Sequence, residues 1–100
     1  MDNKEKMINW LKENQKKPME ISIMVYELND YRKLKNGFVL KEQSGTYDLV
    51  NTDTNDYISL MIWGNKEDEI YFSSDKEETE MEADAQISIN EHFTILFYLQ

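Results

Sequence analysis

The chain has 100 residues with 20 acidic and 11 basic side chains, a formal charge of −9, one histidine and no cysteine. A chain of this length buries only about two-thirds of its unfolded surface, so one domain spanning 1–100 with a single two-layer core is expected. Its 40% apolar content is too high for a disordered chain. The cysteine count excludes disulfides, thiolate nucleophiles and Cys-ligated metals. No apolar run reaches the roughly 18 residues of a membrane span, and the charged start Met-Asp-Asn-Lys-Glu-Lys is not a signal peptide; the expected location is the cytoplasm.

Asp2 or Asn3 with Glu5 marks a helix start, and Met7, Trp10 and Leu11 form one narrow apolar stripe. Lys16 and Lys17 suit the negative end of the helix dipole before Pro18, which predicts a helix over about residues 3–16. From Met19 the period becomes two. Ile21, Ile23 and Val25 fall on one face of a long strand, with Met24, Tyr26 and Leu28 on the other. Asn29 to Lys35 fits a capped short helix or a second strand leading to an Asn36-Gly37 hairpin turn, and the strand is the reading adopted.

Phe38 to Leu40 then leads to a Ser44-Gly45 turn, and Tyr47 to Val50 leads to the polar loop 51–56. Tyr57 to Trp63 ends at Gly64-Asn65. Glu69 to Ser73 precedes an acidic run, after which Ala85 to Ile89, an Asn90-Glu91 turn and Phe93 to Leu99 close the chain. Successive strands joined by short turns pair antiparallel. The pattern predicts an α+β domain: one N-terminal helix packed on a mainly antiparallel meander sheet of about five to seven strands. The nearly continuous apolar runs 57–63 and 93–99 call for cover on both faces. A helix covers one; a loop, a bend of the sheet or a second molecule, as in a homodimer, would cover part of the other.

The charge is segregated. Up to Lys41 there are 9 basic and 6 acidic residues; beyond it there are 2 and 14, so the two parts carry +3 and −12. A segregated field can steer a partner, and this one repels nucleic acid. Catalytic motifs are missing: His92 has no nucleophile motif around it, the carboxylates fall in wet loops, and Gly37, Gly45 and Gly64 stand singly rather than as a phosphate cradle. Asp53 to Asp56 and Glu67 to Glu69 lack the ligand order of an EF-hand. No enzyme activity, cofactor or metal is expected. Ordered carboxylates on a rigid sheet can instead imitate the phosphate ladder in the basic groove of a nucleic-acid-binding protein. Met24, Met61, Trp63 and Tyr71 are the candidate apolar anchors for such a contact, core packing being the alternative for each.

The order helix, Pro18-Met19-Glu20-Ile21-Ser22-Ile23 strand and acidic antiparallel sheet resembles the uracil-DNA glycosylase inhibitors, DNA mimics of phages and mobile elements. Their first strand opens with Glu-Ser-Ile, whose carboxylate and hydroxyl sit where DNA phosphates would lie, and a cavity of the sheet encloses a leucine of the enzyme. The resemblance implies the first role for Glu20 and the second for Ser22, although Ile21 is an extra residue and the stretch after the strand is basic rather than an acidic helix. The expected partner-binding set is Glu20, Ser22, Met24, Asp48, Asp53, Asp56, Met61, Trp63, Glu67, Asp68, Glu69, Glu77, Glu78, Glu80 and Glu82. The expected partner is uracil-DNA glycosylase. Small acidic immunity and anti-defence proteins that neutralise a nuclease by stoichiometric binding share these features and form the alternative; a structural module whose acidity serves only solubility is a third.

Overall fold

A computed structural model of the chain describes residues 2–61, 69–90 and 93–100. Helix α1 (Asn3–Glu13) starts where Asp2 accepts the Glu5 N–H at 2.8 Å, satisfying one of the orphan donors of the first turn. It ends short of residue 16. Asn14 turns its side-chain amide back onto the Trp10 carbonyl at 2.8 Å, and Lys16 adopts φ 63° so that its N–H reaches the Phe38 carbonyl at 2.9 Å. The expected stripe is the buried one. Met7 and Leu11 are fully enclosed, and Trp10 lies tilted against Phe72 and Phe97 with ring centroids 6.3 and 5.0 Å apart.

Eight strands follow among the described residues: β1 (Met19–Val25), β2 (Leu28–Leu34), β3 (Phe38–Gln43), β4 (Thr46–Asn51), β5 (Tyr57–Met61), β6 (Ile70–Ser73), β7 (Ala85–Ile89) and β8 (Phe93–Leu99). The α+β layout of a helix on antiparallel strands is as expected, but the strands divide between two sheets. One has the order β2-β1-β8-β7-β6 and the other β3-β4-β5. The last strand enters the large sheet beside the first, with Ile21 opposite Phe97 and Ile23 opposite Ile95. Every pairing in both sheets is antiparallel.

Three local expectations change with this topology. The long strand 20–28 is broken by a two-residue turn at Tyr26-Glu27, with Tyr26 at φ 55°. Residues 28–34 are a strand, as adopted, but Asn36-Gly37 is not a hairpin turn, because β2 and β3 belong to different sheets. The run expected through Trp63 is described as far as Met61.

One apolar cluster joins both sheets and α1. Met19, Ile21, Ile23, Ile87, Ile95 and Phe97 of the large sheet meet Met7 and Leu11 of the helix and Phe38, Leu49 and Leu60 of the small sheet. The helix and the small sheet therefore cover the same face of the large sheet. Gly37 sits at their junction with φ 72°, and its carbonyl accepts the Thr52 N–H at 3.1 Å.

Candidate functional site

The opposite face of the large sheet carries Glu20, Ser22 and Met24, because Met19, Ile21 and Ile23 alternate with them into the core. In register beside Glu20 stand Lys33 on β2 and Tyr98 on β8; beside Ser22 stand Tyr31 and Leu96. Leu96 is fully buried although it points away from the core cluster. The acidic segment is anchored beside it, on Gln86, the β7 neighbour of Leu96.

Residues 75–84 form one turn of 3-10 helix, Lys76–Glu78, and then a turn over Glu80–Glu82 whose backbone is left-handed at Met81 and Glu82, fixed to the sheet by polar contacts. Tyr71 donates from its hydroxyl to the Glu78 carbonyl at 2.7 Å, and the Ser73 hydroxyl donates to the Glu78 carboxylate at 3.2 Å. Gln86 accepts the Glu80 N–H at 2.8 Å. At the far end Asp84 accepts the Leu99 N–H at 2.7 Å and pairs with Lys76 at 3.3 Å. The run that composition alone would assign to a solvated loop is thus ordered, with Glu77, Glu80 and Glu82 exposed along it.

Between this segment and β1–β2 lies an open groove of about 550 Å³, lined by Glu20, Ser22, Tyr31, Met81, Tyr98 and Gln100. Tyr31 donates its hydroxyl to the Glu20 carboxylate. Its pKa is raised above the ordinary tyrosine value, first by that hydrogen bond, then by desolvation and by the charge of Glu20. The Tyr98 hydroxyl is also raised, first by burial and then by the nearby charges of Asp84 and Glu80. Neighbouring carboxylate charge adds to both shifts without leading either. Met81 stands 77% exposed over the groove at φ 54°, followed by Glu82 at φ 53°. Left-handed backbone costs roughly 1–2 kcal/mol at a non-glycine residue.

These phenols make a checkable prediction. The folded state holds their protons to higher pH than the unfolded chain does, so the stability they contribute is complete below about pH 10 and falls as pH rises through the folded values. Glu20→Gln should lower the Tyr31 pKa toward its ordinary value. Tyrosinate absorbance, taken as the difference from Tyr31→Phe in each background, reads the shift; an unchanged Tyr31 titration would separate the two groups.

Of the expected partner-binding residues, Glu20 and Ser22 line the groove, Glu80 and Glu82 flank Met81, and Glu77 lies further along the same segment. Glu78 holds the segment in place through both its carboxylate and its carbonyl. Met24 and Tyr71 share the outer face, so neither is a core residue. Asp48, Asp53 and Asp56 belong to the small sheet and its loop, across the large sheet from the groove. Asp48 has one buried carboxylate oxygen without a hydrogen-bond partner among the described residues, Asp53 accepts from Asn36 at 2.8 Å, and Asp56 lines a second cavity with Arg32 and Tyr57. Met61 ends β5 opposite Thr46. Glu69 is exposed and its carbonyl accepts the Asn90 N–H. Trp63, Glu67 and Asp68 lie outside the described residues, as does His92.

Met81, Tyr31, Tyr98 and Gln100 were not anticipated. Met81 did leave a signal, as the sole apolar side chain between Phe72 and Ala83. Comparison with known proteins returned no matching family model, curated protein or solved structure. Among the described residues, no helix is long and apolar enough to cross a membrane.

Proposed function

We propose that this protein is a small cytoplasmic, non-catalytic inhibitor that imitates DNA and blocks the basic DNA-binding groove of a DNA-processing enzyme, with uracil-DNA glycosylase as the target. The observation that carries the reading is the convergence of Glu20, Ser22 and Met81 on one open groove beside an ordered run of carboxylates. Fixed charges give fast, selective encounter with a basic surface. Tight binding also needs a desolvated apolar contact, and the exposed Met81 beside the rings of Tyr31 and Tyr98 supplies one. Direct binding to nucleic acid is disfavoured by the charge of −9.

The protein should inhibit uracil excision by a bacterial uracil-DNA glycosylase at near-equimolar ratio, and the complex should weaken with added salt. Full excision in the presence of excess protein would remove this target. In that event, stoichiometric inhibition of a nuclease, with rescue of cells from that nuclease, would establish the immunity or anti-defence alternative.

A further inference from the structure

We infer that two copies of the chain pair through the free edge of β2, joining their large sheets into one across a two-fold axis at Tyr31. An open strand edge is a template for another strand, and proteins ordinarily shorten, bulge or cover it. Two of the other edges, those of β6 and β3, are handled in that way. β6 is only four residues long, lies against α1, and has its Ile70 carbonyl capped by Asn3 at 3.0 Å. β3 is occupied from outside by the Lys16 N–H on the Phe38 carbonyl and by the Gln15 side chain on the Leu40 N–H at 2.8 Å. β2 has seven residues in unbroken register with β1 and is the end strand of its sheet, with Leu28 to Tyr31 and Lys33 exposed.

The occupant follows from the sequence of the strand, Leu28-Asn29-Asp30-Tyr31-Arg32-Lys33-Leu34. Read antiparallel against itself about Tyr31, it places Asp30 opposite Arg32 of the second copy, Asn29 opposite Lys33 and Leu28 opposite Leu34. A two-fold contact must be self-complementary in this sense. The backbone agrees. The two-residue turn closes on a bonded Val25–Leu28 pair, so residues 28, 30, 32 and 34 direct their N–H and C=O groups to β1, while 29, 31 and 33 direct theirs outward. About the Tyr31 axis these outward groups meet as doubly bonded pairs, Tyr31 with Tyr31 and Asn29 with Lys33. The Asp30–Arg32 pairs fall at the closer, non-bonded positions where cross-strand charges interact best.

The side chains are placed for it. Arg32 and Asp30 already sit together at 2.9 Å on one face, so two copies form an alternating square of four charges. Tyr31 leans back toward Glu20 and leaves the axis clear. Leu28, 76% exposed, gains an apolar neighbour. From Glu27 to Lys35 the chain holds three basic and two acidic residues, so this edge escapes the repulsion that would oppose pairing of the acidic surfaces. A contact of this length falls below the standard interface of about 1,600 Å², so the association should be reversible and concentration-dependent.

Sedimentation velocity of the full chain, from low micromolar to near-millimolar concentration, should show a monomer–dimer equilibrium. Lys33→Pro removes an outward N–H without touching the bonds to β1, and edge strands accept proline; it should raise the dissociation constant at least about tenfold while circular dichroism stays unchanged. Asp30→Arg alone should give a folded monomer through Arg–Arg opposition, and Asp30→Arg with Arg32→Asp should restore the dimer. A monomer at every concentration, a dimer indifferent to Lys33→Pro, or a double exchange that fails to restore pairing would overturn the inference.

Discussion

Gly37→Ala is expected to destabilise the protein by about 3 kcal/mol or more, a large share of the roughly 5–15 kcal/mol by which a domain is stable. Two independent effects add. At φ 72° an L side chain carries the left-handed penalty of about 1–2 kcal/mol. A Cβ at this position would also stand 2.6 Å from both the Lys17 N and O atoms and 2.8 Å from the Lys16 carbonyl carbon. All three are backbone atoms, so no rotamer change relieves the clash, and overpacking of this kind costs typically a further 1–3 kcal/mol. The segments that would have to part are the ones that join α1, β3 and the β4–β5 loop, through Lys16 to Phe38 and Thr52 to Gly37. Urea denaturation followed by tryptophan fluorescence measures the loss. Gly45→Ala, at φ 85° in the β3–β4 hairpin turn, is the comparison, with an expected loss nearer 1 kcal/mol. Equal losses at the two glycines would show that the close approach at Gly37 carries no energetic weight.

The importance of Gly37 was hidden in the sequence, and the reason applies more widely. Period-two alternation told which side chains of Met19 to Val25 share a face, and the Met7-Trp10-Leu11 stripe told which side of the helix is buried. Both are local properties, and the structure bears them out. Whether Asn36-Gly37 closes a hairpin or carries the chain from one sheet to another depends on partners far along the sequence, β8 above all, which the spacing of residues 36 and 37 does not encode. The turn at Tyr26-Glu27 was missed for a different reason. It uses a tyrosine at φ 55°, so the usual glycine or asparagine signal is absent, and apolar alternation runs straight through it.

The candidate site divides along the same line. Glu20 and Ser22 were legible as neighbours on one face because both lie on one strand. Asp48, Asp53 and Asp56 have the same chemistry, yet they lie across the molecule because the strands split between two sheets. The acidic segment could be read as charge but not as structure. Its order comes from Tyr71, Ser73 and Gln86, polar side chains on neighbouring strands that reach its backbone or the Glu78 carboxylate.

Met81→Gly is expected to strengthen the fold while weakening the proposed complex. The side chain is three-quarters exposed, so its removal forfeits little packing, and glycine at φ 54° relieves strain of about 1 kcal/mol after its own entropy cost is counted. Strain held in place by contacts on either side, here Gln86 on Glu80 and Asp84 on Leu99, is characteristic of groups positioned for a partner. If Met81 is the apolar anchor, the same change should cost the complex about 2 kcal/mol, or ~30-fold in affinity, mostly as faster dissociation. Glu20→Gln should act on the other rate. Loss of a charge at the groove slows association and flattens its salt dependence, with a smaller effect on dissociation. Thermal melting of the free variants and inhibition kinetics against uracil-DNA glycosylase together read all four quantities. A Met81→Gly variant that melts lower and binds unchanged would mean that Met81 serves the fold rather than the contact, and would move the proposed contact away from the groove.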